Sequence, residues 1–274
     1  MRPVRIAVAL CIVMVAVLLA AGCTGQPDLD NQTETLIQTP IIPMTQKSIA
    51  LYKVTNVQID VYDFPVKPGS QEWAAFTSHD EMLKACQIPE ALLNKMSTKG
   101  LVETVLNYPL YGDMLAHNII QEGFEAVVSG FNGLQELLTR KDAGTMLLAK
   151  YRTMNPDPAA IDKSWRLEQQ GKIEMILSQD AILANLTEAE LHDLLAEAMV
   201  KSQAKQQYAE IYGRFSQERT ALLMGRVLRH TNYGNFRQKM QEDTMLSTFV
   251  NGGTFVTDTA LDEIFLQTQQ FLSR

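Results

Sequence analysis

Residues 187–199 read Thr187-Glu188-Ala189-Glu190-Leu191-His192-Asp193-Leu194-Leu195-Ala196-Glu197-Ala198-Met199. Thr187 with Glu190 three residues on is a capping box: each side chain can satisfy a backbone N–H that the first helical turn leaves free. Leu191, Leu194, Leu195, Ala198 and Met199 then recur at spacings of three and four, which places them on one side of a helix. Such a helix must bury one face against other elements, and the same pattern extends to both sides of it.

Upstream, Ala159–Asn185 reads as the first arm of a long helical hairpin whose second arm is Glu188–Tyr212. Downstream, Gln217–His230 and Asn235–Val250 read as further helices, the latter ended by Gly252-Gly253. The last helix carries Leu261, Ile264, Phe265, Thr268 and Leu272 at helical spacing. Nearer the N-terminus, Ser78-His79-Asp80-Glu81 is a second capping signal, and Pro89 suits a first helical turn. Ser97 opens a helix that Pro109 stops, a longer helix runs from Tyr111 to about Ser129, and Phe131–Arg140 and Ala143–Met154 follow. Asn155-Pro156-Asp157-Pro158 is a linker that divides a block at 70–154 from a block at 159–274, the two forming one continuous domain. The expected class is therefore all-α: an irregular multi-helix bundle, or a short α-α solenoid-like stack. No fixed repeat period emerges. The exception is 47–69, an extended or β segment. There Val57, Ile59 and Val61 alternate with Gln58, Asp60 and Tyr62 before Pro65 and Pro68-Gly69 end the run.

The first residues carry a different signal. Arg2 and Arg5 precede an uncharged apolar run, Ile6 to Ala21, shorter than the ~20 residues of a spanning helix. Leu19-Ala20-Ala21-Gly22-Cys23 follows, small residues before a cysteine, as a lipoprotein signal peptidase requires. Residues 1–22 are thus expected to be a lipoprotein signal peptide and Cys23 the acylated residue, with membrane lipid as its partner. The departure from the pattern is Ala20, where Leu is usual; an ordinary secretory signal that leaves a soluble product is the alternative. Thr24 to about Gln46 is rich in Thr, Gln, Asn, Asp and Pro, the composition of a flexible tether over 23–46. The expected location is the outer face of a cell membrane, in the cell envelope.

Composition narrows the function. The chain carries a net charge of −7, and losing Arg2 and Arg5 makes it more acidic, which disfavours nucleic acid as a partner. Cys11 would leave with the signal, so Cys86 has no intramolecular disulfide partner and reads as a buried, inert thiol. Zinc-protease, phosphate-loop, nucleophile-elbow, EF-hand and dinucleotide motifs are all missing, and the four histidines stand far apart. No catalytic residue, metal ligand or cofactor is assigned.

Two polar groups stand out as a ligand or ion-pair cluster. Arg219 and Arg226 share a helix face two turns apart, flanking an all-apolar Ala221–Gly225 stretch that implies a buried helix. A guanidinium at the edge of such a helix must find acceptors, either an anion or a structural partner such as a helix C-terminus. Asp113, Asn118, Asn132, Arg140 and Asp142 punctuate apolar helices, and Asn132 and Asp142 suit helix caps.

Several strings carry a resemblance. They include Met82–Glu90, Met96-Ser97-Thr98, Leu101–Thr104, Leu106–Pro109, Gly123-Phe124, Phe131–Leu138, Arg140–Gly144, Leu177–Asp180 and Glu218–Arg226. Together, over about residues 72–272, the chain resembles an uncharacterised family of secreted or lipid-anchored prokaryotic helical proteins. That resemblance implies an exported helical domain and carries no activity, ligand or site residue with it. The functional expectation is a membrane-tethered lipoprotein acting as a binding or interaction module. A structural envelope protein is the alternative, and an envelope hydrolase the weakest.

Overall fold

The structure is a computed structural model that describes residues 60–160 and 165–274, with side chains described outside 160–167. The signal peptide, Cys23, the tether and residues 47–59 of the expected strand lie outside the described residues. Everything described belongs to one unit, Thr55–Arg274.

The helices in order are α1 (Gln71–Ala74), α2 (His79–Ala85), α3 (Glu90–Leu93), α4 (Thr98–Leu106), α5 (Ile120–Gly130), α6 (Asn132–Thr139) and α7 (Ala143–Thr153). They continue with α8 (Trp165–Leu177), α9 (Asp180–Leu183), α10 (Glu188–Gln206), α11 (Ala209–His230), α12 (Gly234–Glu242), α13 (Thr244–Gly252) and α14 (Asp258–Leu272). Short 3-10 turns cover Tyr111–Ala116 and Pro158–Ala160. Among the described residues there is no strand, and the fold is an all-α multi-helix bundle.

The bundle is organised around α11. Thr220 to Leu228 is buried without interruption, because α8, α9, α10, α12, α13 and α14 all pack against this helix. The sequence expectation of a helix apolar nearly all round is met here. In α10 the capping box is complete: Thr187 Oγ1 accepts from Glu190 N, and the Glu190 carboxylate accepts from Thr187 N. The expected stripe of Leu191, Leu194, Leu195, Ala198 and Met199 is buried.

Other expectations need correction. The hairpin partner of α10 is α11, while the 159–185 arm is broken into α8 and α9 at Ser178-Gln179. There the Ser178 hydroxyl and the Gln179 amide both donate to Met175 O (2.8 Å each), capping the helix end. The stretch 235–250 is two helices, since the Asp243 carboxylate accepts from Met245 N and Leu246 N and starts a new one. The Tyr111–Ser129 helix is a 3-10 turn followed by α5. The turn folds back so tightly that a Cβ on Gly123 would stand 2.2 Å from Met114 O. Gly213 kinks α11 at φ 59°, ψ 179°, a conformation open to glycine alone. Finally, among the described residues Asp60–Phe64 forms no strand, and the chain bends at Val61. Val61, expected on the inner face, is 46% exposed, and Phe64 is buried instead.

Candidate functional site

The densest polar constellation was not foreseen from the sequence. Beyond Met199, the α10 stripe continues at helical spacing into Ser202 and Lys205, and Lys201 joins them; all three are buried. Opposite them Glu174 interrupts the apolar run Ile173–Leu177 of α8 and is wholly enclosed. Lys205 Nζ donates to both Glu174 oxygens (2.8 and 2.9 Å) and to Thr220 Oγ1 (2.9 Å). Tyr151 OH donates to Glu174 Oε1 at 2.8 Å. Thr220 Oγ1 lies 3.1 Å from Glu174 Oε1 and 3.2 Å from Ser216 O, its one proton serving either. Lys201 Nζ reaches Met154 O (2.6 Å) and Glu197 (2.7 Å) and sits over the Tyr151 ring at 4.8 Å. Side chains of α7, α8, α10 and α11 thus meet at one carboxylate.

Burial pushes the Lys205 ammonium below its ordinary pKa, and the Glu174 charge opposes that shift. Burial, with the Glu174 charge beside it, drives the Tyr151 phenol well above its ordinary value. Lysine, tyrosine, threonine and glutamate are residue types that perform acid–base chemistry. Here Lys205 and Glu174 expose nothing to solvent, so the seam joins helices rather than presenting a reactive surface.

The residues singled out in the sequence are placed apart, with no hydrogen bond or ion pair joining any two of them. Arg226 is buried and donates to Val250 O (3.0 Å), Gln121 Oε1 (2.8 Å), Asn251 O (3.3 Å) and Ser178 O and Oγ (3.4 Å each). It therefore closes the C-terminal carbonyls of α13, the structural alternative foreseen for a guanidinium at this position. Burial and the nearby Arg229 lower its pKa to about 10. Arg219 lies flat on α8, where a Cβ on Gly171 would stand 2.4 Å from its Cζ, and it stacks 4.6 Å from the Phe215 ring. Among the described residues its buried Nε has no acceptor.

Arg140 reaches Met96 O (2.8 Å), Leu93 O (3.2 Å) and Glu136 (3.0 Å), tying α6 to the end of α3. Asp113 pairs with His79 at 3.1 Å, and Asn118 is exposed. Asn132 and Asp142, expected as caps, make no capping bond. Asn132 exchanges two bonds with the backbone of Ile88 (3.0 and 2.7 Å), and Asp142 accepts from Thr98 Oγ1 (2.8 Å). Cys86 is buried as expected, and burial pushes its thiol up to about 11.

At the surface, an open groove of about 640 Å³ runs beside Gly234, Arg237, Gln238, Gln241 and Glu242. Among the described residues no three His, Cys, Asp or Glu side chains are grouped to hold a metal ion. No described helix is long and apolar enough to cross a membrane. Three apolar side chains stand well out of the body, Val200 at 60%, Leu115 at 65% and Phe255 at 78% exposure. Phe255 is held there by its neighbours. Gly253 takes the left-handed cap of α13 and its carbonyl accepts from Ile120 N (3.1 Å), while buried Val256 accepts from Arg214 Nη2 (2.9 Å). Comparison with protein-family models, with curated proteins and with solved structures gave no match to this chain.

Proposed function

We propose that this chain is an exported lipoprotein, cleaved before Cys23 and acylated there, whose helical bundle is a binding or interaction module on the outer face of a cell membrane. The observation that carries the anchor is the order of Arg2 and Arg5, the apolar run to Ala21, and the small residues that precede Cys23. The polar stretch after Cys23 has the composition of a spacer, and the bundle begins well beyond it. A diacylated cysteine supplies the more than one chain that stable membrane attachment needs.

Binding is favoured by Phe255. Single exposed apolar residues are ordinary on protein surfaces. An aromatic ring held outward by a loop fastened on both sides is better suited to contact, because little conformational entropy is lost when a partner covers it.

Fractionation of cells that express the wild type or Cys23→Ser tests the anchor. The wild type should partition with membranes and the variant with the soluble fraction; identical partition rejects the reading. In-cell crosslinking of the wild type and Phe255→Ser tests the binding role, for which crosslinked species should be lost in the variant.

A further inference from the structure

Four described arginines are wholly or partly buried: Arg140, Arg219, Arg226 and Arg229. Arg140 bonds to Glu136 and to two carbonyls, Arg226 to Gln121 and to carbonyls at the end of α13, and Arg229 to Asp180 and Asn251. Arg219 differs from the other three. Among the described residues its Nε is shut off from water and has no hydrogen-bond partner. A guanidinium N–H stripped of water costs free energy until an acceptor reaches it.

The guanidinium is nevertheless held in place. It lies on α8 where Gly171 has no side chain: a Cβ there would stand 2.4 Å from Arg219 Cζ and 2.6 Å from Nη1. Phe215, one turn earlier on α11 and 40% exposed, packs its ring 4.6 Å from the same Cζ. A planar cation held against a helix backbone and an aromatic ring loses little freedom when it accepts a ligand. Arg219 is itself only partly buried, so a ligand can approach it from solvent.

A second cation stands beside it. Lys172 follows Gly171 directly, its Nζ lies 5.1 Å from the centre of the Tyr111 ring, and its bond to Leu106 O is long at 3.5 Å. The Tyr111 hydroxyl is committed to Lys172 O (3.2 Å). Burial lowers the pKa of both cations, and the Arg219 charge lowers that of Lys172 further. Two carboxylates face the pair. Glu174 is already bonded to Lys205 and Tyr151. Glu168, one turn before Lys172, is exposed to solvent and screened by it. Two cations against one exposed carboxylate leave a local excess of one positive charge on an acidic chain.

We propose that Arg219 and Lys172 form a binding site for one carboxylate group, supplied by a small organic acid. The excess charge matches a monoanion, and the planar fork of the guanidinium matches a planar carboxylate. The site is independent of the lipid anchor and of Phe255.

The test uses the full-length chain labelled with nitrogen-15 in arginine. Its guanidinium Nε–H resonances are followed as acetate replaces chloride at constant ionic strength, the Arg219 resonance being the one missing from Arg219→Lys. That resonance should shift saturably while those of the other arginines stay. Gly171→Ala, which pushes the guanidinium off α8 while favouring helix, and Lys172→Met, which removes the second cation, should each weaken acetate binding about tenfold with helical circular dichroism retained. Glu168→Gln removes the competing carboxylate and should tighten it. An Arg219 resonance unmoved by acetate in both wild type and Glu168→Gln overturns the site. So does an equal shift of the exposed arginines, which marks a general salt effect. Tighter binding of inorganic phosphate than of acetate overturns the monoanion assignment, and undiminished acetate binding in Gly171→Ala and Lys172→Met overturns the roles given to those positions.

Discussion

Lys205 and Glu174, on different helices and both wholly enclosed, are joined by two hydrogen bonds of 2.8 and 2.9 Å. Burying two charges is costly, and removing only one leaves the other without compensation. Lys205→Met or Glu174→Leu alone should therefore destabilise the bundle by about 3–5 kcal/mol. The double variant should recover much of that loss. Urea unfolding of the four proteins measures it as a coupling energy.

Arg226 should resist conservative replacement. Its guanidinium reaches acceptors on α5, the Ser178 turn and α13 at once, a spread that needs its fork of donors. Arg226→Lys keeps the charge but has a single nitrogen to share among them. A loss of about 2–3 kcal/mol is expected from the unsatisfied buried acceptors. Thermal unfolding of the variant beside wild type measures the loss.

Alkaline pH should unfold the protein cooperatively. Burial raises the phenol pKa of Tyr108, Tyr111, Tyr151 and Tyr212, the last to about 12. In the unfolded chain these groups ionise near 10, so between that pH and their folded values the unfolded state gives up more protons and gains stability. Stability contributed by these tyrosines is thus complete below pH ~10 and lost above it. The lowered pKa of Lys172, Lys205, Arg219 and Arg226 acts in the opposite sense, and is set against the raised pKa of Tyr62, Tyr208 and Cys86 as well as of these four tyrosines. Tyrosinate absorbance should rise in one step that coincides with loss of helical circular dichroism.

Cys86 should be silent toward thiol reagents in the native state. Its thiolate is disfavoured by burial and by the Asp113 charge, and its side chain is enclosed. Thiolate is the reactive form. Labelling with iodoacetamide at pH 7.5 should become fast only in denaturant. Equal rates with and without denaturant would refute this account.

The helices were legible where local chemistry decides them. Thr187 and Glu190 cap α10 as their spacing requires, and the Ala221–Gly225 stretch is buried as its composition requires. Boundaries that depend on side chains bonding to backbone were harder to see. Asp243 sits inside an otherwise acceptable helical pattern, and only its bonds to Met245 N and Leu246 N reveal the break. Alternation in the segment before α1 put Val61 inward, but alternation alone does not say which residue is buried, and Val61 is exposed. The aromatic pair Tyr108–Phe131, distant in sequence, made that choice by admitting Phe64.

By itself the sequence determined the all-α class, the absence of any disulfide for Cys86 if Cys23 is acylated, and the acidic charge. These follow from composition and from periodicities a few residues long. Tertiary structure alone decided that α11 lies at the centre, that Arg219 and Arg226 serve different neighbours, and that Lys205 is buried. A lysine on a helix reads as surface until another element supplies a carboxylate, and Glu174 reaches Lys205 only when α8 and α10 close on α11. Such partners are chosen by packing over distances along the chain that no local pattern records.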